Sequence, residues 1–231
     1  MTKQITLEIL EPERATITIQ PGALIVAGYT GRDESAVREH IEELAAIGIA
    51  PPAQVPMLYQ LDPALLTSGK SVEIGDGLAT GEVEPVFIRH NDRWYLGVGS
   101  DLTDRDVERE DVHTSKAVCP KPINGTAVRL PDDVNSGGFD DIWDQIEATS
   151  YVDGELYQEG SLKGLRPPSD LIPRVIEASR LRRDYAGDIV VFAGTIPVID
   201  GTFRSGATWE ARLALPDGRT LIHKHEFFRR A

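Results

Sequence analysis

The chain has 231 residues, 41% hydrophobic and 26% charged, which is the composition of a globular protein able to bury a core. Disordered and fibrous classes are therefore excluded. Acidic residues outnumber basic ones by 37 to 24, and a net charge of −13 repels phosphate backbones, so no nucleic-acid partner is expected. No internal boundary stands out in the sequence, and we expect a single domain over residues 1–231.

Cysteine content and hydropathy bear on where the protein resides. Cys119 is the single cysteine, which excludes an intrachain disulfide and suits a reducing compartment. We expect its thiol to be buried and structural. No segment approaches the roughly 18 uncharged apolar residues of a membrane span, and residues 1–14 lack the hydrophobic stretch of a signal peptide. A soluble cytoplasmic protein without a membrane partner is therefore expected.

The first third of the chain predicts strands followed by one helix. Residues 5–10, 15–19 and 23–29 are β-branched and partly alternating, with breaks at Glu11-Pro12 and Pro21-Gly22. Asp33 or Ser35 caps a helix that ends near Ile47, with Gly48 at its C-terminal cap. Residues 50–80 are rich in Pro, Gly and small polar types, and they predict an irregular loop region without regular elements.

The remainder predicts two hairpins, a second helix and three further strands. Residues 82–90 and 93–99 flank Asn91-Asp92, which is typical of a tight two-residue turn. The other elements are strands 150–152 and 155–157 around Asp153-Gly154, a helix from a Ser169 cap to about Leu181, and strands 188–193, 208–215 and 219–228. Many antiparallel strands with two or three helices indicate a β-rich α+β fold.

Several aromatic and histidine side chains have simple structural interpretations. Trp94, Trp143 and Trp209 are expected to be core or hairpin aromatics. His223 and His225 alternate with charged residues in the last predicted strand. We therefore expect them on a polar face of the sheet.

Three carboxylates are predicted to converge beside the first hairpin. Glu82 and Glu84 are two residues apart in a strand, so their side chains project from the same face. A solvated polar face is the simplest interpretation of that pair alone. If Asn91 and Asp92 form the turn, however, position 82 faces position 101, which places the Cβ atoms of Glu82 and Asp101 about 5 Å apart. A β-bulge before Asp101 would displace this pairing.

Three carboxylates at such distances repel one another. Either one becomes protonated or a cation neutralises the set. A divalent cation is the simpler solution, and oxygen ligands without nearby cysteine or clustered histidine favour Mg²⁺, Mn²⁺ or Ca²⁺ over zinc. Three protein ligands leave coordination positions for water or substrate.

The ordered motifs resemble those of the fumarylacetoacetate hydrolase family. Its Glu-x-Glu and Asn-Asp-x-Thr-x-Arg-Asp signatures correspond to Glu82-Val83-Glu84 and to residues 100–106, with Ser100 in place of Asn. The match spans roughly residues 24–200 and is closest to an uncharacterised branch. The other similar segments are Tyr29 with His40 to Glu43 after a longer spacer, Ser115-Lys116, Asp153 to Glu155 with Gln158, and Gly194-Thr195, where Ile196 interrupts the usual Gly-Thr-Pro.

This resemblance implies a mixed β-sandwich roll, usually a homodimer, that binds Mg²⁺ or Mn²⁺. By position, the metal ligands are Glu82, Glu84 and Asp101. His40 and Glu43 correspond to the general-base pair, and Lys116 would lie beside the metal to stabilise developing negative charge. The residues that would line or buttress the substrate pocket are Tyr29, Arg105, Gln158 and Thr195.

Each of these assignments has a simpler structural alternative. His40 lies among apolar residues of the predicted helix and could be a half-buried helix histidine. Glu43 and Lys116 could be solvated surface side chains, and Arg105 could pair with Asp106 to brace a loop.

The expected activity follows from the resemblance. Substrates of the family are small 2-oxo acids or β-dicarbonyl compounds, and we expect a metal-dependent hydrolase that cleaves C–C bonds of acylpyruvate type. Decarboxylation, hydration or isomerisation at the same site is the enzymatic alternative. A noncatalytic metal-dependent carboxylate-binding protein is the alternative of a different class.

Overall fold

The structure, a computed structural model, describes residues 4–46, 50–180 and 187–229. Its helices are α1 Glu34–Ala46, α2 Arg105–Glu108, α3 Val112–Ala117, α4 Asp140–Trp143 and α5 Pro168–Arg180. Its strands are β1 Ile5–Ile9, β2 Ala15–Ile19, β3 Pro21–Gly28, β4 Met57–Leu61, β5 Leu66–Thr67, β6 Ser71–Ile74, β7 Ala79–Thr80, β8 Val83–His90, β9 Arg93–Ser100, β10 Thr103–Asp104, β11 Lys121–Pro122, β12 Thr126–Arg129, β13 Glu147–Val152, β14 Glu155–Ser161, β15 Asp188–Phe192, β16 Thr208–Ala214 and β17 Thr220–Arg229.

Two sheets form most of the structure. The larger is an 8-stranded mixed sheet in the order β2-β1-β12-β9-β8-β15-β3-β4, in which β1 is parallel to β12 and β3 to β15. The smaller is a 5-stranded sheet in the order β14-β13-β16-β17-β6. Short pairs β7 with β10 and β5 with β11 lie beside them. This is the β-rich α+β architecture that the sequence predicts.

The main core lies between the two sheets. Leu96 and Val98 of β9 pack in one hydrophobic cluster with Ala211 and Leu213 of β16. The opposite face of the large sheet is also covered, and there Val86 of β8 belongs to a second cluster. Six consecutive residues at the start of β8 are buried, as expected for a strand covered on both faces. The carboxylates at this end of β8 are therefore held on a rigid element.

The β8–β9 hairpin has the predicted register. Asn91 and Asp92 have φ values of 49° and 60°, the left-handed conformation of a tight two-residue turn. Pairing runs without a shift from His90 opposite Arg93 to Val83 opposite Ser100. Beyond the ladder, the Asp101 N–H donates to the carbonyl oxygen of residue 82 at 3.0 Å. Positions 82 and 101 therefore face each other, and no bulge displaces them.

Two element boundaries near the N-terminus and in α5 differ from prediction. The expected break between the second and third strands lies at Gln20 and not at Pro21-Gly22, because β3 begins at Pro21, where a strand tolerates a residue without an N–H. Helix α5 begins at Pro168, a residue favoured in a first helical turn, so Ser169 is not its cap. The predicted Asp33 cap of α1 is confirmed, since its carboxylate accepts from the Ser35 N–H at 2.8 Å.

The expectation that residues 50–80 lack regular elements is wrong. Strand β4 completes one edge of the large sheet beside β3, and β6 completes an edge of the small sheet beside β17. Edge strands of four or five residues are specified by the partner they pair with, so composition does not reveal them. Helices α2, α3 and α4 have four to six residues and raise the described helix count to five, above the predicted two or three. The predicted ends of both long helices, Ile47 with Gly48 and Leu181, lie outside the described residues.

His223 and His225 do not lie on a polar face. Both are buried, at 4% and 3% exposure, because β17 turns them toward the core while Ile222 and Lys224 face outward. His225 Nδ1 and His223 Nε2 are 3.0 Å apart, so one imidazole donates to the other. Burial lowers the pKa of His223 to about 4 and that of His225 to about 3.

The other core predictions are confirmed. Trp94, Trp143 and Trp209 are buried, and so is Cys119. Burial raises the pKa of the Cys119 thiol to about 11, so the thiol stays protonated at neutral pH. Among the described helices, none is both long and apolar enough to cross a membrane.

Candidate metal centre

The structure brings the three predicted carboxylates together. Glu82 immediately precedes β8, Glu84 lies within it, and Asp101 follows β9. Each residue offers one carboxylate oxygen, and these oxygens lie within 4.8 Å of one another. Glu84 and Asp101 are 2% and 0% exposed, whereas Glu82 is partly exposed. Oxygens this close are compatible with a single cation that binds each of them at about 2.0–2.6 Å.

Without a cation the buried acids cannot all be ionised easily. Burial, with the negative charge of Asp101, raises the pKa of Glu84 well above its usual range. Burial acts in the same direction on Asp101, but the ammonium groups of Lys116 and Lys121 outweigh it and lower the pKa of that carboxyl. Among the described residues, Asp101 Oδ1 has the Lys121 ammonium 3.1 Å away but accepts no well-aligned hydrogen bond. The acidic triad is therefore suited to a divalent metal, which would allow Glu84 to ionise.

Lys116 lies at the centre of the site. It belongs to α3, whose first turn is capped by Asp111 accepting from the Thr114 N–H at 2.6 Å. Its Nζ contacts Oδ2 of Asp101 and lies 3.4 Å from Thr103 Oγ1. Burial alone would lower the pKa of this ammonium, but the facing carboxylates outweigh burial and raise it. Lys116 is therefore a buried cation, not the solvated surface side chain of the alternative interpretation.

Lys121 is a second buried cation that the sequence analysis missed. Its Nζ lies 3.1 Å from Asp101 Oδ1, and neither side chain is exposed. The sequence offers little signal for it, because a lysine between Pro120 and Pro122 is usually a surface residue. Its burial depends on the path of the chain between Asp101 and β11.

Arg105 is held against Glu82. It opens α2, and its Nη2 lies 2.9 Å from Glu82 Oε1 while Nη1 donates to Glu108 at 2.8 Å. Nε donates to Thr80 Oγ1 at 2.7 Å, and the Phe203 ring covers the guanidinium at 3.7 Å. Burial opposes the positive charge, but the two glutamates outweigh burial and raise the pKa of Arg105. The alternative in which Arg105 pairs with Asp106 is not what the structure shows.

Gln158 and Thr195 hydrogen-bond to Val83 at the start of β8. The Gln158 amide is buried, and Oε1 accepts from the Val83 N–H at 2.9 Å and from Ser150 Oγ at 2.8 Å. Nε2 donates to Thr195 Oγ1 at 2.9 Å and to Ile196 O at 2.6 Å. Because these contacts use the whole hydrogen-bonding capacity of the amide, Gln158 fixes the strand and has no donor left for a ligand.

The structure describes the Tyr29 side chain, but of the predicted base pair it describes only the Glu43 side chain. Tyr29 follows β3 with φ 57°, and burial and the charge of Glu108 raise the pKa of its phenol. The charge of Lys116 acts on the same pKa in the opposite direction, but by less. The Glu43 side chain is exposed on α1. The His40 side chain lies outside the described part of the structure, and the base pair stays a prediction.

Comparisons with known proteins agree with this architecture. The model of the family described as "Protein of unknown function (DUF2848)" matches residues 27–225. A search of curated proteins gave no match. Among solved structures, fumarylpyruvate hydrolase from Pseudomonas aeruginosa in complex with Mn²⁺ and pyruvate is 15% identical, with a TM-score of 0.63 over 98% of this chain and 96% of that one.

Two isomerases show the same likeness. The 5-carboxymethyl-2-hydroxymuconate delta-isomerase of Mycobacterium smegmatis is 15% identical, with a TM-score of 0.56 over 92% of this chain and 81% of that one. The 2-hydroxyhepta-2,4-diene-1,7-dioate isomerase of Mycobacterium marinum is 12% identical, with a TM-score of 0.59 over 94% and 79%. The chain belongs to the DUF2848 family and has the fold of the fumarylacetoacetate hydrolase proteins.

Proposed function

We propose that the protein is a divalent-metal-dependent hydrolase that cleaves C–C bonds in small 2-oxo acids or β-dicarbonyl compounds of acylpyruvate type. The observation that carries the proposal is the convergence of Glu82, Glu84 and Asp101 within 4.8 Å, with Lys116 in contact with Asp101. Mg²⁺ or Mn²⁺ would be held by these three carboxylates, and Ca²⁺ is the remaining hard-cation alternative. Fumarylpyruvate hydrolase, which binds Mn²⁺ and pyruvate, shares the fold and supports this choice.

The side chains around the triad supply the other requirements of such a reaction. When bound, the cation would act as a Lewis acid toward a 2-oxo carboxylate. Lys116 keeps a positive charge beside the triad, where it would stabilise the negative charge of an enolate leaving group. Tyr29, whose pKa is raised, keeps its phenol proton and can donate a hydrogen bond to substrate. His40, oriented by Glu43, would remove a proton from the attacking water.

The remaining proposed pocket residues act by holding ligands in place. Arg105 fixes the carboxylate of Glu82 through the 2.9 Å ion pair. Thr195 Oγ1 donates to the Val83 carbonyl at 2.7 Å, between the two glutamates in sequence. We propose in addition a single domain over residues 1–231, a homodimer and a cytoplasmic location, and sedimentation of the purified protein would test the assembly.

Turnover of a panel of acylpyruvates and oxaloacetate, with Mn²⁺, with Mg²⁺ or with a chelator, tests the proposed reaction. Hydrolysis of an acylpyruvate is expected to release pyruvate and a carboxylic acid only when a metal is added. The same products at equal rates with chelator would contradict metal dependence.

The two isomerases of the same fold favour a second candidate at this site. Isomerisation would change the absorbance of the substrate without releasing a fragment, and decarboxylation of oxaloacetate would release pyruvate and CO₂. Binding of these acids without any conversion would identify a noncatalytic binding protein. Product analysis therefore separates the four outcomes.

A further inference from the structure

Lys121 is a fully buried ammonium for which the proposed reaction has no role. Its Nζ donates to the carbonyl oxygens of Leu102 at 2.5 Å, Lys116 at 2.7 Å and Cys119 at 3.3 Å. On its remaining side, Nζ lies 3.1 Å from Asp101 Oδ1. The side chain therefore connects a candidate metal ligand to the chain segment that carries Lys116.

The surroundings of Nζ fix its charge. Four oxygen atoms surround it, and each is a hydrogen-bond acceptor: three carbonyls and one carboxylate. An ammonium has three N–H donors and no lone pair, whereas a neutral amine would direct its lone pair at one of these oxygens. Burial outweighs Asp101 and lowers the pKa of the Lys121 ammonium, but acceptors on every side leave no donor for the lone pair of a neutral amine, so this geometry favours the charged form.

Asp101 is consequently neutralised by the protein itself. Lys116 contacts Oδ2 and Lys121 lies against Oδ1, so each carboxylate oxygen faces its own buried cation. A metal bound at Oδ1 would share that oxygen with the Lys121 ammonium. Like charges separated by a single oxygen atom repel strongly where water is excluded, and the repulsion would weaken metal binding.

The two lysines have different surroundings. The charge of Lys116 is felt by Glu82, Glu84 and Asp101 together, as a residue at the centre of the triad requires. Of these acids, Lys121 contacts Asp101, and its other polar contacts are the three carbonyls. Among the three candidate ligands, Lys121 is therefore paired with Asp101.

We propose that Lys121 is an internal counter-cation for Asp101, which stabilises the metal-free site and lowers its affinity for the divalent metal. The inference rests on the proposed metal site, and it is independent of which reaction the site performs. It differs from a purely structural role, in which Lys121 only anchors the three carbonyls and its removal leaves metal affinity unchanged or reduced.

Calorimetric titration of Mn²⁺ into metal-free wild type and Lys121→Met tests the proposal directly. Removing the buried charge is expected to lower the dissociation constant by at least about tenfold, because a repulsion inside the protein disappears. Lys163→Met, which removes a charge from an exposed lysine of another segment, is the matched control and is expected to bind like wild type. Equal or weaker binding by Lys121→Met would overturn the proposal. Absence of Mn²⁺ binding in wild type would instead overturn the metal site itself, and the inference with it.

Lys121→Met also leaves three carbonyls without a donor, so its metal-free stability needs a separate comparison. The melting temperature is measured for Lys121→Met in the wild-type background and in Asp101→Asn, both without metal. Removing a counter-cation is expected to cost less once residue 101 is neutral, so the decrease in melting temperature is smaller in the Asp101→Asn background. Folding of the double variant, but not of Lys121→Met alone, would support the proposal equally. An equal loss in both backgrounds, or failure of both to fold, would show a structural anchor and overturn it.

Discussion

The backbone N–H of Gly194 donates to Glu84 Oε2 at 2.9 Å, so a turn after β15 helps to hold a candidate metal ligand. Gly194 has φ 99°, a conformation that side chains rarely adopt, and a Cβ at this position would lie 1.7 Å from Thr30 Oγ1. Glycine is therefore required both for the backbone conformation and for the contact with Thr30. This contact also places the segment leading to α1 beside the triad.

Gly194→Ala is expected to destabilise the protein by at least about 1–3 kcal/mol, the cost of a strained backbone conformation, and to weaken metal binding by moving the N–H away from Glu84. Urea unfolding and Mn²⁺ titration measure the two effects. Gly164→Ala is the control, because a Cβ there meets nothing within 4 Å. Equal stability of the two variants would contradict the account of this turn.

His40→Ala is expected to lower kcat by about 10²- to 10⁴-fold, the usual contribution of a general base, without changing metal affinity. Steady-state kinetics with the substrate found in the panel, together with Mn²⁺ titration, measures this. Glu39→Ala, at the neighbouring exposed position of α1, is the control. A rate equal to that of wild type would remove His40 from the mechanism.

Metal binding is expected to release protons at pH values below the raised pKa of Glu84. The pKa of Glu84 is raised by burial and by Asp101, so part of the metal-free protein carries a proton that the cation must displace. A raised folded-state pKa also means that the metal-free protein loses stability as pH rises from about 4.5 through that pKa. Calorimetry in two buffers with different ionisation enthalpies measures the proton release. Identical apparent enthalpies in both buffers would contradict it.

The buried histidine pair predicts sensitivity to acid. Since burial lowers the pKa of His223 from 6.5 to about 4, the unfolded chain binds protons more readily, and stability is lost as pH falls through this window. The shift corresponds to roughly 3 kcal/mol for His223 once pH is below both values. Unfolding free energies from pH 7 to 4 are expected to decline less steeply in a His223→Gln/His225→Gln variant. Parallel declines would show that the pair does not control the transition.

The sequence was most informative where chemistry is local. The Asn91-Asp92 turn determines the register of β8 and β9, and the register alone places Asp101 opposite Glu82, as the structure confirms. Asp33 likewise predicts the start of α1. These features depend on neighbouring residues, so their signals lie within a few positions of one another.

What the sequence did not reveal depends on distant contacts. Lys121 is buried because the segment leading to β11 passes next to Asp101. Strands β4 and β6 form because they pair with the edges of β3 and β17. The inward face of His223 is set by the pairing of β17 with β16. No local pattern carries this information, because partner strands and loop paths are properties of the assembled sheets.

Calorimetric titration of Mn²⁺ into wild type and Glu84→Ala tests the central claim most directly. Glu84 is buried on a central strand and supplies one of the three oxygens, so its removal is expected to abolish binding while the far-UV spectrum remains that of wild type. Glu159→Ala, which removes an exposed strand carboxylate, is expected to bind like wild type. Full affinity in Glu84→Ala would contradict the assignment of the triad as the metal centre.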